Sequence, residues 1–259
     1  MFRRIVFSVC MAVGVVTANV QEVQAQEAPI KVRPYQDTIP NQPKAPWYKS
    51  KVFKATAVPV VLIGYGLSTV GDNGIYSSHD AKDDIQGSFS GFSTKVDDAL
   101  LVAPYVELAL VNMLNVKSDH DFLNTSLLIL KSEAIMLTTV YGLKKITNVE
   151  RPNGENRESF PSGHTAQAFL AASIVHNELK HKSDWYGVGA YTIAAGVGAF
   201  RMLNNKHWQA DVFAGAGIGI LSAHLAYLTH RNRWGRQPFS LMPTYQNGAV
   251  GVSFVMPLN

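Results

Sequence analysis

From Ala55 onward, apolar runs alternate with short polar ones. The runs cover 55–70, 99–114, 123–146, 162–179, 185–203 and 210–230, lengths suited to helices rather than strands. Residues 71–97, between the first two runs, are rich in Gly, Ser and Asp and read as a loop. Residues 239–259 alternate apolar and polar positions about Asn247-Gly248, the strongest short-range hairpin signal. No internal repeat is present. The pattern predicts an all-α helical bundle over 55–230, followed by a basic linker and hairpin-like tail over 231–259.

A helix that crosses a bilayer needs about 20 mostly apolar residues. Segments 185–203 and 210–230 meet that requirement, and the Gly215-Ala216-Gly217-Ile218-Gly219 run suits close helix packing in lipid. Segment 123–146 carries Lys131 and Glu133, and 99–114 carries Pro104 and Glu107, so both are weaker candidates. An integral membrane bundle of about five or six apolar helices is the favoured architecture. A soluble, all-helical periplasmic domain is its alternative.

Composition narrows the class. Of 259 residues, 47% are hydrophobic and 16% charged, against about a quarter charged in an average soluble domain. A net charge of +4 is too slight and scattered for a nucleic-acid binder. Arg3 and Arg4, the apolar stretch Ile5 to Val16 and the small-residue site Val23-Gln24-Ala25 predict a secretory signal peptide over 1–25. Residues 26–54 carry five prolines and read as an extended periplasmic arm ending in a basic, aromatic foot at Trp47 to Lys54. Cys10, the single cysteine, lies in the leader, so the mature chain has no disulfide, thiol nucleophile or thiolate metal site.

Three stretches hold the polar residues that look misplaced on apolar helices: "KKITNVERP" with Lys144 and Arg151, "PSGH" from Pro161 to His164, and "RMLNNKHWQAD" with Arg201, His207 and Asp211. Each lies at a helix end, and in an up-and-down bundle those ends face the same way. Their chemistry is that of phosphate. Lys144, Arg151 and Arg201 offer fixed positive charge and forked donors. Ser162 and Gly163 open a helix, whose free amides and positive dipole end favour an anion. His207 and Asp211, four residues apart, share a helical face, so the carboxylate can hold the imidazole tautomer and prepare a nucleophile. His164 is then available as a general acid.

Lys-x6-Arg-Pro, Pro-Ser-Gly-His and Arg-x5-His-x3-Asp, in this order, resemble the three signature motifs of the type 2 phosphatidic acid phosphatase (PAP2) superfamily. The resemblance covers residues 144 to 211. It implies a PAP2-type bundle in which Lys144, Arg151 and Arg201 bind phosphoryl oxygens, helped by Ser162 and the Gly163 amide. It further implies that His207, partnered by Asp211, forms a phosphohistidine while His164 protonates the leaving oxygen, with no metal or other cofactor. One position departs: the family usually has Ser before the third-motif arginine, and here it is Phe200.

A site at the helix ends of a membrane bundle sits at headgroup depth, which favours a phosphorylated membrane lipid as substrate. The resemblance makes a lipid A phosphate the specific candidate, beside phosphatidylglycerophosphate, phosphatidate and undecaprenyl diphosphate. A soluble periplasmic acid phosphatase is the rival reading. Lys117, Lys180, Lys182, Arg231, Arg233 and Arg236 lie at the opposite helix ends, so the positive-inside rule turns the motifs toward the periplasm of a bacterial inner membrane. With a cleaved leader and six spans, parity would turn the motifs to the cytoplasm, so 55–70 is expected to lie in the interface or re-enter rather than span; a soluble periplasmic domain avoids the conflict.

Overall fold

The computed structural model describes residues 46–231, together with the backbone of three strands, Arg4–Cys10, Ser240–Gln246 and Ala249–Pro257. Most of the predicted leader and arm, the linker over 232–239 and the Asn247-Gly248 turn lie outside the described residues. The chain divides into two units, Ala45–Arg231 and a second made of Met1–Lys44 with Asn232–Asn259. In the second, Ser240–Gln246 and Ala249–Pro257 pair antiparallel with Gln246 opposite Ala249, and Arg4–Cys10 pairs on the other side of Ala249–Pro257.

The first unit is helical. After a 3-10 turn at Trp47–Lys49 come α1 (Lys51–Ser68), α2 (Ser78–Ser88), α3 (Val96–Leu100), α4 (Ala103–Met113), α5 (Phe122–Thr147), α6 (Gly163–Leu179), α7 (Asp184–Leu203) and α8 (Gln209–Leu228). All six apolar runs are therefore helices, and α1 takes in the last residues of the foot. The reading of 71–97 as a loop is corrected: it holds α2 and the start of α3. A capping box starts α2, with the Ser77 hydroxyl accepting from the Asp80 amide at 3.1 Å and the Asp80 carboxylate accepting from the Ser77 amide at 3.0 Å. Polar composition hid a helix whose start signal is local.

Side-chain caps set the other boundaries. Asp121 accepts from the Asn124 amide at 2.8 Å to start α5, and Asn148 ends it in the left-handed conformation at φ 48°. The proline inside α1 leaves a carbonyl unpaired, because Pro59 has no N–H to donate to Ala55 four residues back. His224 Nδ1 of α8 donates to that carbonyl at 2.7 Å, which gives this histidine a packing role.

Glycine decides how closely α8 packs. A Cβ on Gly219 would lie 2.1 Å from the Ala166 carbonyl oxygen of α6, and one on Gly215 would lie 2.5 Å from that of Ser162. On the opposite face of α8, a Cβ on Gly217 would meet the Pro59 carbonyl oxygen of α1 at 2.8 Å. These small residues let α8 lie between α6 and α1, and they bring the start of α8 against the start of α6.

Among the described residues, three helices are long and apolar enough to cross a membrane by length and composition: α1, α5 and α8. The set differs from the sequence expectation, since α1 joins it and α7, diluted by Asp184, Arg201 and four glycines, does not. Of their apolar windows only 11% of α1 and 22% of α5 is buried, against 67% of α8. Val58, Val60, Val61 and Leu67 of α1 and Leu130, Leu137 and Tyr141 of α5 are exposed. Two long helices with bare apolar faces present the surface that a bilayer covers. The chain is an integral membrane protein.

Candidate active site

Two loops meet where α5 ends and where α6 and α8 begin. The loop over 148–162 closes on itself, with the Arg151 amide donating to the Asn156 carbonyl and the Ser159 amide to the Val149 carbonyl, both at 2.9 Å. It is tied to the α7–α8 turn by Lys206 Nζ donating to Glu155 at 2.5 Å and Trp208 Nε1 donating to the Glu150 carbonyl at 2.7 Å. The Ser162 amide donates to the Asp211 carbonyl at 3.0 Å, joining the start of α6 to the first turn of α8. The three motifs, distant in sequence, thus share one end of the bundle.

At the centre is Asp211. Its Oδ2 accepts from the Trp208 amide at 2.9 Å, from Ser159 Oγ at 2.5 Å and from His207 Nδ1 at 3.2 Å. Both His207 and Asp211 are buried. A carboxylate facing Nδ1 places the ring proton there and leaves Nε2 as the free lone pair. Burial pushes the His207 pKa down to about 4, against the opposing hydrogen bond and charge of Asp211, with Lys144 and Arg201 adding to the fall. The ring is therefore neutral at neutral pH.

The cations gather around this pair. Lys144, in the last turn of α5, donates to the Glu158 carbonyl at 2.5 Å and the Ser159 carbonyl at 3.3 Å, and among the described residues its charge meets no carboxylate at hydrogen-bond distance. Arg151 reaches Glu155 at 3.4 Å, and Arg201 NH1 donates to Asp97 Oδ2 at 2.7 Å. In both arginines the buried Nε has no hydrogen-bond partner among the described residues. Arg201 stands near enough to act electrostatically on both His164 and His207. Ser162 caps α6, its oxygen accepting from the Thr165 amide at 3.4 Å and lying 2.9 Å from Thr165 Oγ1; Gly163 is the first helical residue.

Three further residues escaped the sequence reading. His164 Nε2 lies 2.9 Å from Asp98 Oδ1, and Asp97 and Asp98 both belong to α3. Asn204 Nδ2 of the α7–α8 turn also donates to Asp97 Oδ1 at 3.3 Å. The adjacent acids of "VDDAL" were the available signal, but nothing local says which cation they meet. Ser159 is the third, two residues before Pro161, and its hydroxyl anchors Asp211. Phe200, at the departing position, lies parallel to Phe92 with centroids 6.3 Å apart, and so packs the α2–α3 segment onto α7.

Asp97, Asp98 and His164 each place one ligand atom within 4.8 Å of the others, a spacing open to a metal ion. The donor set fits a metal poorly, because the Arg201 guanidinium already holds the Asp97 carboxylate.

A model of the PAP2 superfamily matches residues 127–235, which contain Lys144, Arg151, His164, Arg201, His207 and Asp211. A Lipid A 1-phosphatase of Porphyromonas gingivalis is 48% identical over 77 residues. That stretch is 30% of this chain, which spans only 17% of the length of that relative. Aquifex aeolicus LpxE resembles 56% of the chain, over 93% of its own, at 22% identity and a TM-score of 0.42. A transmembrane PAP2 type phosphatidylglycerolphosphate phosphatase of Bacillus subtilis resembles 68% of the chain, over 94% of its own, at 17% identity and a TM-score of 0.43.

Proposed function

Over residues 127–235 the chain belongs to the PAP2 superfamily, and from that premise we propose that it is a phosphatase acting on a phosphorylated membrane lipid through a phosphohistidine on His207. The observation that carries the reading is the buried His207–Asp211 pair, with Nδ1 held and Nε2 without a hydrogen bond from the described residues. Beside it, Arg151 and Arg201 each keep a buried N–H without an acceptor among the described residues. Orphan buried donors are rare in folded proteins, and two on neighbouring cations suit an anion's oxygens.

In the first step His207 Nε2 attacks phosphorus and the bond from phosphorus to the lipid oxygen breaks. His164 gives its proton to that oxygen, and the dephosphorylated lipid leaves. Lys144, Arg151 and Arg201 hold the three equatorial oxygens, with the first-turn amides of α6 beside them. Asp211 stabilises the cationic imidazole that forms. In the second step His164 takes a proton from water, the oxygen attacks phosphorus, and inorganic phosphate leaves His207. No metal enters either step.

The substrate favoured is a lipid A phosphate, in keeping with the identity over 77 residues to a Lipid A 1-phosphatase. Phosphatidylglycerophosphate, phosphatidate and undecaprenyl diphosphate are the other members of the class. Lys117, Lys180, Lys182 and Arg231 at the far ends of the helices support a site facing the periplasm from the inner membrane. The test is phosphate release from each lipid by the purified chain and by its His207→Ala variant. Release that survives the substitution contradicts the proposal.

A further inference from the structure

Around α6 the helices form an incomplete ring. α5, α8, α7 and α4 all pack on α6, and along the perimeter α5 packs on α8, α8 on α7 and α7 on α4. Between α4 and α5 no backbone contact closes the ring. The α6 residues His164 and Gln167, three apart and so on one face, are only half-buried, whereas Thr165, Ala166 and Ala168 beside them are fully enclosed. In its first two turns the helix that begins at the phosphate site is therefore less covered at its histidine and at Gln167, and the same face closes again at the buried Ala171 and Ile174.

One polar bridge crosses from α4 to α5. Tyr105 of α4 donates to Glu133 Oε1 of α5 at 2.6 Å, and Gln167 Nε2 donates to the same oxygen at 2.5 Å and lies 3.3 Å from the Tyr105 oxygen. Glu133 Oε2 and Gln167 Oε1 take no hydrogen bond from the described residues, so what the bridge still offers is acceptors. Its depth follows from α5. Gly163 faces Val140 of that helix, 3.7 Å from where its Cβ would be. Glu133, seven residues earlier, lies about 10 Å further from the site along the axis, at a rise of 1.5 Å per residue. The other charge nearby on α5, Lys131, is engaged elsewhere, donating to Thr229 Oγ1 at 2.6 Å, and an acidic side chain at that depth in a membrane helix is costly and marks function.

We propose that Glu133, held by Tyr105 and Gln167, is a specificity-determining residue. It accepts a hydrogen bond from a hydroxyl or amide N–H on the backbone of the lipid whose phosphate occupies the site. The opening between α4 and α5, continuous along α6 with His164, receives that part of the lipid. The inference rests on the lipid phosphatase reading and adds to it a substrate class: lipid phosphates with a donor below the phosphate are preferred over those whose linkages carry only acceptors.

The test compares three substrates on the full chain in detergent. Ceramide 1-phosphate carries an amide N–H and a hydroxyl, phosphatidate of matched acyl length carries ester acceptors only, and p-nitrophenyl phosphate has no lipid backbone. The wild-type chain should prefer ceramide 1-phosphate to phosphatidate by about tenfold in kcat/KM, the effect expected of a hydrogen bond to a charged group. Glu133→Leu should bring that ratio to near one, mainly through KM, while hydrolysis of p-nitrophenyl phosphate is unchanged. Should Glu133→Leu fail to fold, Glu133→Gln, which keeps the shape and loses the charge, must lower the ratio several-fold. An equal loss on all three substrates overturns the proposal, since it would mark the bridge as purely structural. A ratio near one in the wild type, or one that survives the substitutions, overturns it too. Phosphate release from lipid A, measured alongside, separates the two readings: a wild-type chain that hydrolyses lipid A but none of the three overturns this specificity proposal, and one that hydrolyses none of the four refutes the phosphatase reading itself.

Discussion

Asp97 and Arg201, 104 residues apart in sequence, form a buried ion pair at 2.7 Å. The pair fixes one end of the guanidinium, while its buried Nε has no acceptor among the described residues. It also ties α3, from a segment that reads as loop, to the third motif.

Breaking that pair leaves a buried charge alone. Asp97→Ala should destabilise the chain by about 3–5 kcal/mol and lower kcat/KM, whereas Asp97→Asn, which keeps an acceptor for NH1, should lose much less of both. Thermal unfolding in detergent, alongside hydrolysis of p-nitrophenyl phosphate, measures both. An Asp97→Ala chain that unfolds at the wild-type temperature contradicts the account.

The acid limb of activity should lie low. His207 must be neutral to attack, and burial holds its pKa down to about 4, below the usual histidine value of about 6.5. Activity is thus retained as pH falls through 6 and is lost only as His207 gains its proton nearer 4. The profile of kcat/KM, corrected for the substrate's own phosphate ionisation, reads this directly. Asp211→Asn removes the groups that oppose the shift and should move the limb lower still. It should also cost about 10³–10⁴-fold in kcat, as the wrong tautomer does in a comparable histidine–carboxylate pair. An enzyme limb at or above 6.5 would contradict the burial argument.

The α6–α8 contact should tolerate no side chain. A Cβ on Gly219 would lie 2.1 Å from backbone oxygen, while one on Gly196 of α7 meets nothing within 4 Å. Gly219→Ala should destabilise by about 1–3 kcal/mol through overpacking and reduce activity, because α8 carries His207's partner Asp211. Gly196→Ala should be neutral or stabilising by up to about 1 kcal/mol. Equal unfolding temperatures for the two variants would refute the packing account.

Chelation should leave turnover unchanged. Asp97, Asp98 and His164 have the spacing of a metal site, yet the proposed chemistry uses them as partners of Arg201 and of the general acid. Hydrolysis that stops in EDTA and returns with a divalent cation would reassign this cluster.

What the sequence made legible follows the range of the forces involved. The six apolar runs announce α1 and α4 to α8, since helical burial is periodic along the chain. The motif spacing singles out the three cations, two histidines and Asp211. The Ser77–Asp80 capping box was readable too, but polar composition masked α2. By contrast, the partners of Asp97 and Asp98 are set by how α3 docks on α6 and α7, a long-range outcome with no local signature. The gap between α4 and α5 is likewise a property of packing. The approach of α2 and α3 to the site is of the same kind, with Gln86 donating to the Met202 carbonyl at 3.4 Å.

The central claim is covalent transfer to His207, and trapping the intermediate tests it most directly. The chain is mixed with radiolabelled lipid phosphate, quenched in alkaline detergent within a single turnover, digested and mapped by mass spectrometry. The account predicts an alkali-stable, acid-labile phosphoryl group on the peptide holding His207, absent from His207→Ala and longer-lived in His164→Ala. Turnover with no phosphorylated peptide, or with the label on another residue, would contradict it.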